Sequence, residues 1–227
     1  MTEVILTPYK DLSFLILNLL DFRYNTPMSK LITFVGVSGV GKTTLAKALA
    51  TTGDFATGFE QHDTRPFQHL FDKDKRYALP NQIDYFLLRA EQERILRADS
   101  RPALIDGGLD VDFHGFARLF HARGYLSNAE FELCKRLYEQ LRLSLPMPEV
   151  VIYLTASEEV IRERLTKRDR VNIATLADAG MLKEYLEEWL GTLPAKQVLE
   201  FDVSAEGLGY KRLLQEVASE FDNREIY

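Results

Sequence analysis

Gly36-Val37-Ser38-Gly39-Val40-Gly41-Lys42-Thr43 satisfies the pattern G-x-x-x-x-G-K-[ST]. Leu31-Ile32-Thr33-Phe34-Val35 leads into it, and Leu45-Ala46-Lys47-Ala48-Leu49-Ala50 leads out. A strand-forming run, a glycine turn and a helix-forming run therefore follow one another, which is the setting the pattern requires. Backbone N–H groups of such a turn converge on a phosphate, and the next helix aims its positive dipole end at the same point. Lys42 adds a point charge for the β- and γ-oxygens, and the Thr43 hydroxyl is a Mg²⁺ ligand of the right hardness. Thr44 follows in the same first helical turn. The plain alternative is a glycine-rich strand-to-helix turn without a ligand; the flanking runs favour a nucleoside triphosphate site.

The chain has 227 residues, enough for one domain with a large core or one domain with a small lid. Charged residues at 27% and apolar residues at 46% are ordinary for a globular protein in water. A formal charge of −6 argues against a general affinity for nucleic acid or anionic membranes. Cys134 is the single cysteine, so no internal disulfide forms, and a reducing cytoplasmic setting is expected. His62, His69, His114 and His121 lack zinc-ligand spacing. Leu12 to Leu20 is mostly apolar but too short to span a bilayer, and Asp11 and Asp21 flank it. With no basic n-region and no cleavage site, it does not read as a signal peptide. Residues 1–27 are read as an appendage of unknown purpose, and 28–227 as the folded domain.

Short apolar runs alternate with longer amphipathic ones, the signature of a parallel sheet covered by helices. Strands are expected at 31–35, roughly 55–60, 103–106, 149–154 and 197–202. Helices are expected at 42–51, about 75–98, 112–123, 128–143, 158–168, 180–191 and 209–221. Ser127 with Glu130, and Thr155 with Glu158, have capping-box spacing. Five short strands around one phosphate loop predict a small α/β P-loop NTPase of the kinase type, with a five-stranded parallel sheet flanked by helices.

Asp106 ends the apolar strand Ala103-Leu104-Ile105, and ligands of open α/β sheets gather at such carboxyl ends. An acid there can help hold Mg²⁺ beside Thr43; otherwise it caps the Gly107-Gly108 turn. Arg162, Arg164, Lys167, Arg168 and Arg170 crowd one short segment. Such a run is either a solvated helix face or a lid whose guanidinium groups offset charge on transferring phosphate. Glu60 ends the second strand run, where a carboxylate can take the proton of an attacking hydroxyl. Gln82 and Arg89 lie two turns apart on one helix face, and Gln offers both a donor and an acceptor to a base edge. Asp112 adds an acceptor for an exocyclic amino group, and a nearby Arg89 would keep it ionised.

In order and spacing these residues resemble the deoxynucleoside kinase family, which phosphorylates deoxycytidine, deoxyguanosine and deoxyadenosine. The resemblance runs from about Lys30 to Phe221. Gly36 to Thr43 is similar to the family's phosphate loop, and Glu60 falls at its general base. Pro80 to Arg89 resembles the helix supplying the base-reading Gln and an Arg. Asp106 with Asp112, Phe116 and Ala117 resembles the segment Asp/Glu-Arg-Ser, then Asp, then Phe-Ala. Glu163 to Arg170 resembles the arginine lid, and Val198 to Val203 the last strand. Three departures stand out: Gly107 replaces the Arg that follows the strand-end acid, Phe71 replaces a Tyr that meets the sugar 3′-hydroxyl, and Ile173 replaces a lid Glu. The donor side is therefore expected to be conventional and the acceptor side unusual, with Arg65 a candidate substitute for the missing Arg.

The resemblance implies transfer of the ATP γ-phosphoryl group to a nucleoside 5′-hydroxyl. In that reading Glu60 is the base, and Lys42, Arg164 and Arg168 stabilise the transferring group. Arg170 and the loop residues hold nucleotide, Thr43 and Asp106 place Mg²⁺, and Phe71, Gln82, Arg89, Asp112 and Phe116 line the acceptor site. It also implies a homodimer through helices near 112–143. A nucleoside monophosphate kinase, another small-molecule kinase, and a non-catalytic ATP-binding regulator remain open at this point.

Overall fold

The computed structural model describes residues 28–59, 65–166, 176–206, 210–224 and 226. Five parallel strands form one sheet: β1 (Leu31–Val35), β2 (Ala56–Gly58), β3 (Ala103–Asp106), β4 (Val150–Thr155) and β5 (Val198–Asp202), in the order β2-β3-β1-β4-β5. The central strands β1 and β3 are buried at every position, as a sheet covered on both faces demands, while β2 and β5 at the edges keep exposed positions. Because β1 pairs with β3 on one side and β4 on the other, the chain reverses its direction of winding there. The carboxyl end of β1 is thus the crevice where an open α/β sheet takes its ligand.

The helices are α1 (Lys42–Ala50), α2 (Pro66–Lys73), α3 (Ala78–Arg97), α4 (Arg118–Ala122), α5 (Asn128–Ser144), α6 (Glu158–Thr166), α7 (Leu176–Leu190) and α8 (Lys211–Asn223). α1 packs on β1, β3 and α8, whereas α3 lies over β1, β2 and β3 and carries α2 and α5. The Ser127–Glu130 capping box at the start of α5 is complete in both directions.

Three stretches differ from the sequence expectation. The region expected as one helix over 75–98 is preceded by the separate helix α2. Pro66 occupies its first turn, where a missing N–H costs nothing, and it is followed by a 3₁₀ turn over Lys75–Tyr77 whose start Asp74 caps. Residues expected as a plain α-helix over 112–123 open instead as a π-helical stretch, Val111–Ala117, before tightening into α4. The expected strand at 55–60 is pared to three residues, Ala56–Gly58.

Arg97, at the end of α3, fastens the amino ends of the strands. Its guanidinium donates to Ser29 O (3.1 Å), Pro146 O and Met147 O (both 3.0 Å) and the Glu149 carboxylate (2.9 Å), and Glu149 in turn accepts from Leu31 N at 2.7 Å. A second polar group lies between α3, α5 and the π-helical stretch. Arg142 bridges Glu93 and Asp110, each at 2.8 Å or less, and the Tyr138 hydroxyl donates to Asp110 at 2.8 Å. His114 Nε2 meets that hydroxyl at 3.1 Å, and its ring stacks on Trp189 with centroids 5.4 Å apart.

Burial pushes the His114 pKa down to about 4, the neighbouring Asp110 carboxylate opposing this only in part. Between the ordinary histidine value near 6.5 and that lowered value, the unfolded chain binds a proton that the folded chain refuses. Stability tied to His114 is therefore present at neutral pH and lost as pH falls through this window. Urea unfolding at pH 7.5 and pH 5 should show the protein losing about 2 kcal/mol more than the His114→Phe variant over that interval. Equal losses in the two proteins would contradict this assignment.

Candidate active site

The loop between β1 and α1 is held by close approaches that only glycine allows. Gly36, Gly39 and Gly41 all have positive φ, at 145°, 85° and 115°. A Cβ at Gly36 would lie 2.5 Å from Leu154 O on β4, and one at Gly39 would lie 2.8 Å from Leu165 Cγ on α6. One at Gly41 would run into the Tyr210 hydroxyl. Val37 and Val40 are buried beneath the loop, and Val40 N donates to Val37 O at 3.3 Å to close the turn. Ser38 and Gly39 are half-buried at its tip, and Thr44 is exposed on the first turn of α1.

Lys42 folds back over the loop and donates from Nζ to Gly36 O (2.9 Å) and Val37 O (3.2 Å). The Thr43 hydroxyl donates to Asp106 Oδ2, joining the first turn of α1 to the carboxyl end of β3. Asp106 is 1% exposed, and its other oxygen, Oδ1, has no hydrogen-bond partner among the described residues. A buried, unsatisfied carboxylate oxygen beside a hydroxyl is a hard oxygen donor set, and it fits a cation such as Mg²⁺. No group of three or more His, Cys, Asp or Glu gathers among the described residues.

Three of the residues expected on the acceptor side meet between α3 and the π-helical stretch. Gln82 Nε2 donates to Asp112 O at 2.8 Å, which fixes the amide plane. Arg89 Nε donates to Asp112 Oδ2 at 3.1 Å, and Nη1 to Gln92 Oε1 at 3.2 Å. Gln82, Arg89 and Asp112 are all buried. Tyr85 lies on the same face of α3 between Gln82 and Arg89, and its buried hydroxyl donates to Gln68 Oε1. Phe116 is half-buried, its ring tilted against Phe120 at 6.3 Å.

Other expected site residues are placed differently from one another. Phe71 is buried against Phe120 (4.8 Å) and Tyr125 (6.0 Å), with the Lys75 ammonium 4.1 Å over its ring. Arg65 donates to the Asp84 carboxylate at 2.8 Å and to Asp84 O at 2.9 Å, so it is tied to α3 and is not beside Gly107. Arg164 donates from Nη1 to Val40 O (2.5 Å) and from Nη2 to Val203 O (3.2 Å), clamping α6 onto the phosphate loop. Glu60, Arg168, Arg170 and Ile173 lie outside the described residues, as does the appendage 1–27.

Tyr210 was not legible as a site residue. It is buried at the start of α8, and it is the one non-glycine residue with positive φ (47°) among those described. Its hydroxyl, held by Arg164, touches the loop at Gly41. Burial raises its pKa, with Arg164 opposing, so it stays a neutral phenol at physiological pH.

Comparison with known proteins identifies the family. The model of the deoxynucleoside kinase family matches residues 32–222. A deoxyadenosine/deoxycytidine kinase of Bacillus subtilis is 29% identical over 151 residues, covering 65% of this chain and 70% of the relative. A deoxyadenosine kinase of Dictyostelium discoideum is 29% identical over 140 residues, 61% of this chain and 57% of its own length. Among solved structures, a deoxyadenosine kinase from M. mycoides with the products dCMP and dCDP superposes with a TM-score of 0.70 at 19% identity, over 85% of this chain and 99% of that one. The family match spans the phosphate loop, the β3 end and the acceptor group alike: the chain belongs to the deoxynucleoside kinase family and is a phosphotransferase that acts on nucleosides.

Proposed function

We propose that the chain transfers the γ-phosphoryl group of ATP to the 5′-hydroxyl of a deoxynucleoside whose base carries an exocyclic amino group, adenine or cytosine before guanine. The observation that carries this reading is the Thr43–Asp106 contact, which joins the phosphate loop to the β3 end, six residues ahead of the base-facing Asp112. In the reaction the 5′-oxygen bonds to the γ-phosphorus as the bond from that phosphorus to the β,γ-bridging oxygen breaks. Glu60 takes the hydroxyl proton. Lys42 turns from its loop carbonyls to the β- and γ-oxygens, and the amides of Gly36 to Thr44 enclose the β-phosphate. Thr43 and Asp106 would hold Mg²⁺, which supplies charge neutralisation on the phosphates when bound. Arg168 and Arg170 would close over the nucleotide, while Arg164 keeps the lid helix on the loop. Most of the rate enhancement is then positioning and charge stabilisation.

On the acceptor side, Gln82 and Asp112 read the base edge. Thymine places a carbonyl oxygen where Asp112 requires a donor, so binding it would leave two acceptors facing each other in a buried site. Phe71 offers no hydroxyl for the sugar, consistent with an acceptor handled differently from that of other members.

The exposed side chains of Leu87 and Ile95 on α3 and Leu133 and Leu143 on α5, two helices in contact, suit a homodimer interface. A cytoplasmic setting fits the use of ATP and the free Cys134 thiol, which burial raises to about 11 and so keeps unreactive. Among the described residues no helix is long and apolar enough to cross a membrane.

A panel of nucleosides with ATP and Mg²⁺, read by mass spectrometry, should give 5′-monophosphates of deoxyadenosine or deoxycytidine, with kcat/KM at least about tenfold above that for thymidine. Preference for thymidine would contradict the placement of Asp112, and phosphorylation of monophosphates alone would replace this reading. Glu60→Gln should lower kcat on the order of 10²-fold while calorimetric ATP affinity is kept; an unchanged kcat removes Glu60 as the base. Sedimentation should show a dimer that Leu133→Glu combined with Leu143→Glu converts to monomer, and a monomeric parent protein would exclude this interface.

A further inference from the structure

Tyr210 begins α8 with φ at 47°, and its carbonyl accepts from Leu214 N at 2.8 Å to open the helix. A left-handed backbone is unfavourable for an aromatic residue, and such outliers persist where the surroundings require them. The requirement is visible at the far end of the side chain. α8 packs on α1, and the Tyr210 phenol reaches the residue that directly precedes Lys42. Where a Cβ of Gly41 would stand, the neighbours are the Tyr210 hydroxyl, Tyr210 Cζ at 3.4 Å and Arg164 Nη1 at 3.4 Å. The hydroxyl oxygen accepts from the Arg164 guanidinium, so the two side chains meet behind the loop as a pair.

The pair acts on one peptide unit. Arg164 Nη1 donates to Val40 O at 2.5 Å, and Nη2 to Val203 O at 3.2 Å. Val40 O and the Gly41 N–H belong to one planar trans unit, in which carbonyl and amide point in opposite directions. Drawing the carbonyl toward α6 therefore turns the amide away from α6. Gly41, with φ at 115° and no Cβ, does little by itself to hold that unit in place. The guanidinium supplies the hold, and a long arginine side chain must first be confined to the one rotamer that reaches Val40. Two groups confine it: the Tyr210 oxygen, and Val203 O, whose residue is buried and bonded through its N–H to Thr155 O of β4 at 2.8 Å.

We propose that Tyr210 is a positioning residue for the donor nucleotide: through Arg164, its hydroxyl fixes the Val40–Gly41 peptide so that the Gly41 N–H is presented to the β-phosphate. The phenol itself touches no reacting atom. Its effect lies in how tightly the loop holds a β-phosphate, and the acceptor is bound independently of it. This inference rests on the nucleotide-binding part of the kinase reading above.

The test is calorimetry of MgATP and MgADP on the parent, Tyr210→Phe, Arg164→Met and the double variant, with nucleoside KM measured beside it. Tyr210→Phe keeps the ring that packs against Gly41 and removes the hydroxyl alone. It should weaken both nucleotides about fivefold, the effect of one hydrogen bond. The nucleoside KM should stay within about twofold of the parent, a split that general loosening of the fold would not give. Arg164→Met should weaken both nucleotides by about thirtyfold, since it strips two main-chain carbonyls of their donor. The double variant should match Arg164→Met within about twofold, because the hydroxyl then has no guanidinium to hold. Parent-like nucleotide affinity in Tyr210→Phe overturns the proposal, and decides it even if Arg164→Met shows no thermal unfolding transition. So does a nucleoside KM that rises as much as the nucleotide affinity falls. A double variant about fivefold weaker than Arg164→Met would show the phenol acting apart from Arg164, which also overturns it. A parent that binds MgATP but phosphorylates no nucleoside would overturn the kinase reading while these comparisons still decide the role of Tyr210. A parent that gives no heat with MgATP would overturn both.

Discussion

The closeness of the phosphate loop to its surroundings is the constraint on which the site depends. Gly36 lies against the main chain of β4, Gly39 against Leu165 of α6, and Gly41 against the phenol of Tyr210. Three separate elements therefore meet one eight-residue turn, and each contact uses a missing Cβ. Positive φ at all three glycines lets the turn curl so that its amides face inward, while the contacts behind it prevent the curl from relaxing. Arg164 completes the enclosure by donating to Val40 O from α6 and to Val203 O beyond β5. α6, the turn after β5 and the phosphate loop are thereby tied together, and the shape of the loop is set by main-chain packing.

The junction of α3 with the segment after β3 is organised by buried charge. Two ionic links join α3 to the segment after β3, one turn of α3 apart: Arg89 with Asp112, and Glu93 with Asp110 through Arg142. Glu93 is buried, and burial raises its pKa against the pull of Arg142, so the group holds together because each charge has a partner. Pairs of this kind contribute little net stability compared with apolar packing, yet breaking one leaves an uncompensated buried charge that costs about 3–5 kcal/mol. Their effect is on geometry. Asp110 faces α5 and Asp112 faces α3, so the segment between them is fixed in rotation, with the Asp112 carboxylate held by Arg89 and its main-chain carbonyl by Gln82.

The phosphate loop, β1 and β3 were legible in the sequence because each is decided locally, by glycine spacing or by an uninterrupted apolar run ending in Asp106. α2 was not, because it is only eight residues long and buries Gln68 with Phe71 while Leu70 stays exposed, so its inward face does not follow the apolar pattern. The π-helical stretch was likewise hidden. A period of 3.6 describes Val111–Ala117 well enough on paper, and the widening answers to partners on α3, α5 and α7 that sequence spacing does not encode. Tyr210 carried no signal either, since nothing in the pattern of α8 announces a positive φ or a contact with Gly41 some 170 positions earlier. Gln82, Arg89 and Asp112 stood out only through their common order, and the structure adds that they touch.

Position 107 links the two halves of the site. Viewed along the chain, the glycine there is a loss, since a charged side chain would be expected after the strand-end acid. In space it is an opening, because the turn is backed by β1 through Phe34 O and Thr33 and fronted by a guanidinium from another element. A charge delivered from α3 differs physically from one delivered by the turn: it is held by Asp112 and Gln92, and so its position is fixed by how α3 sits on β3. The Glu93–Arg142–Asp110 link, placed one helical turn beyond Arg89, resists a shift of α3 relative to β3 directly, so the buried charges that add least to stability fix the distance between the two elements.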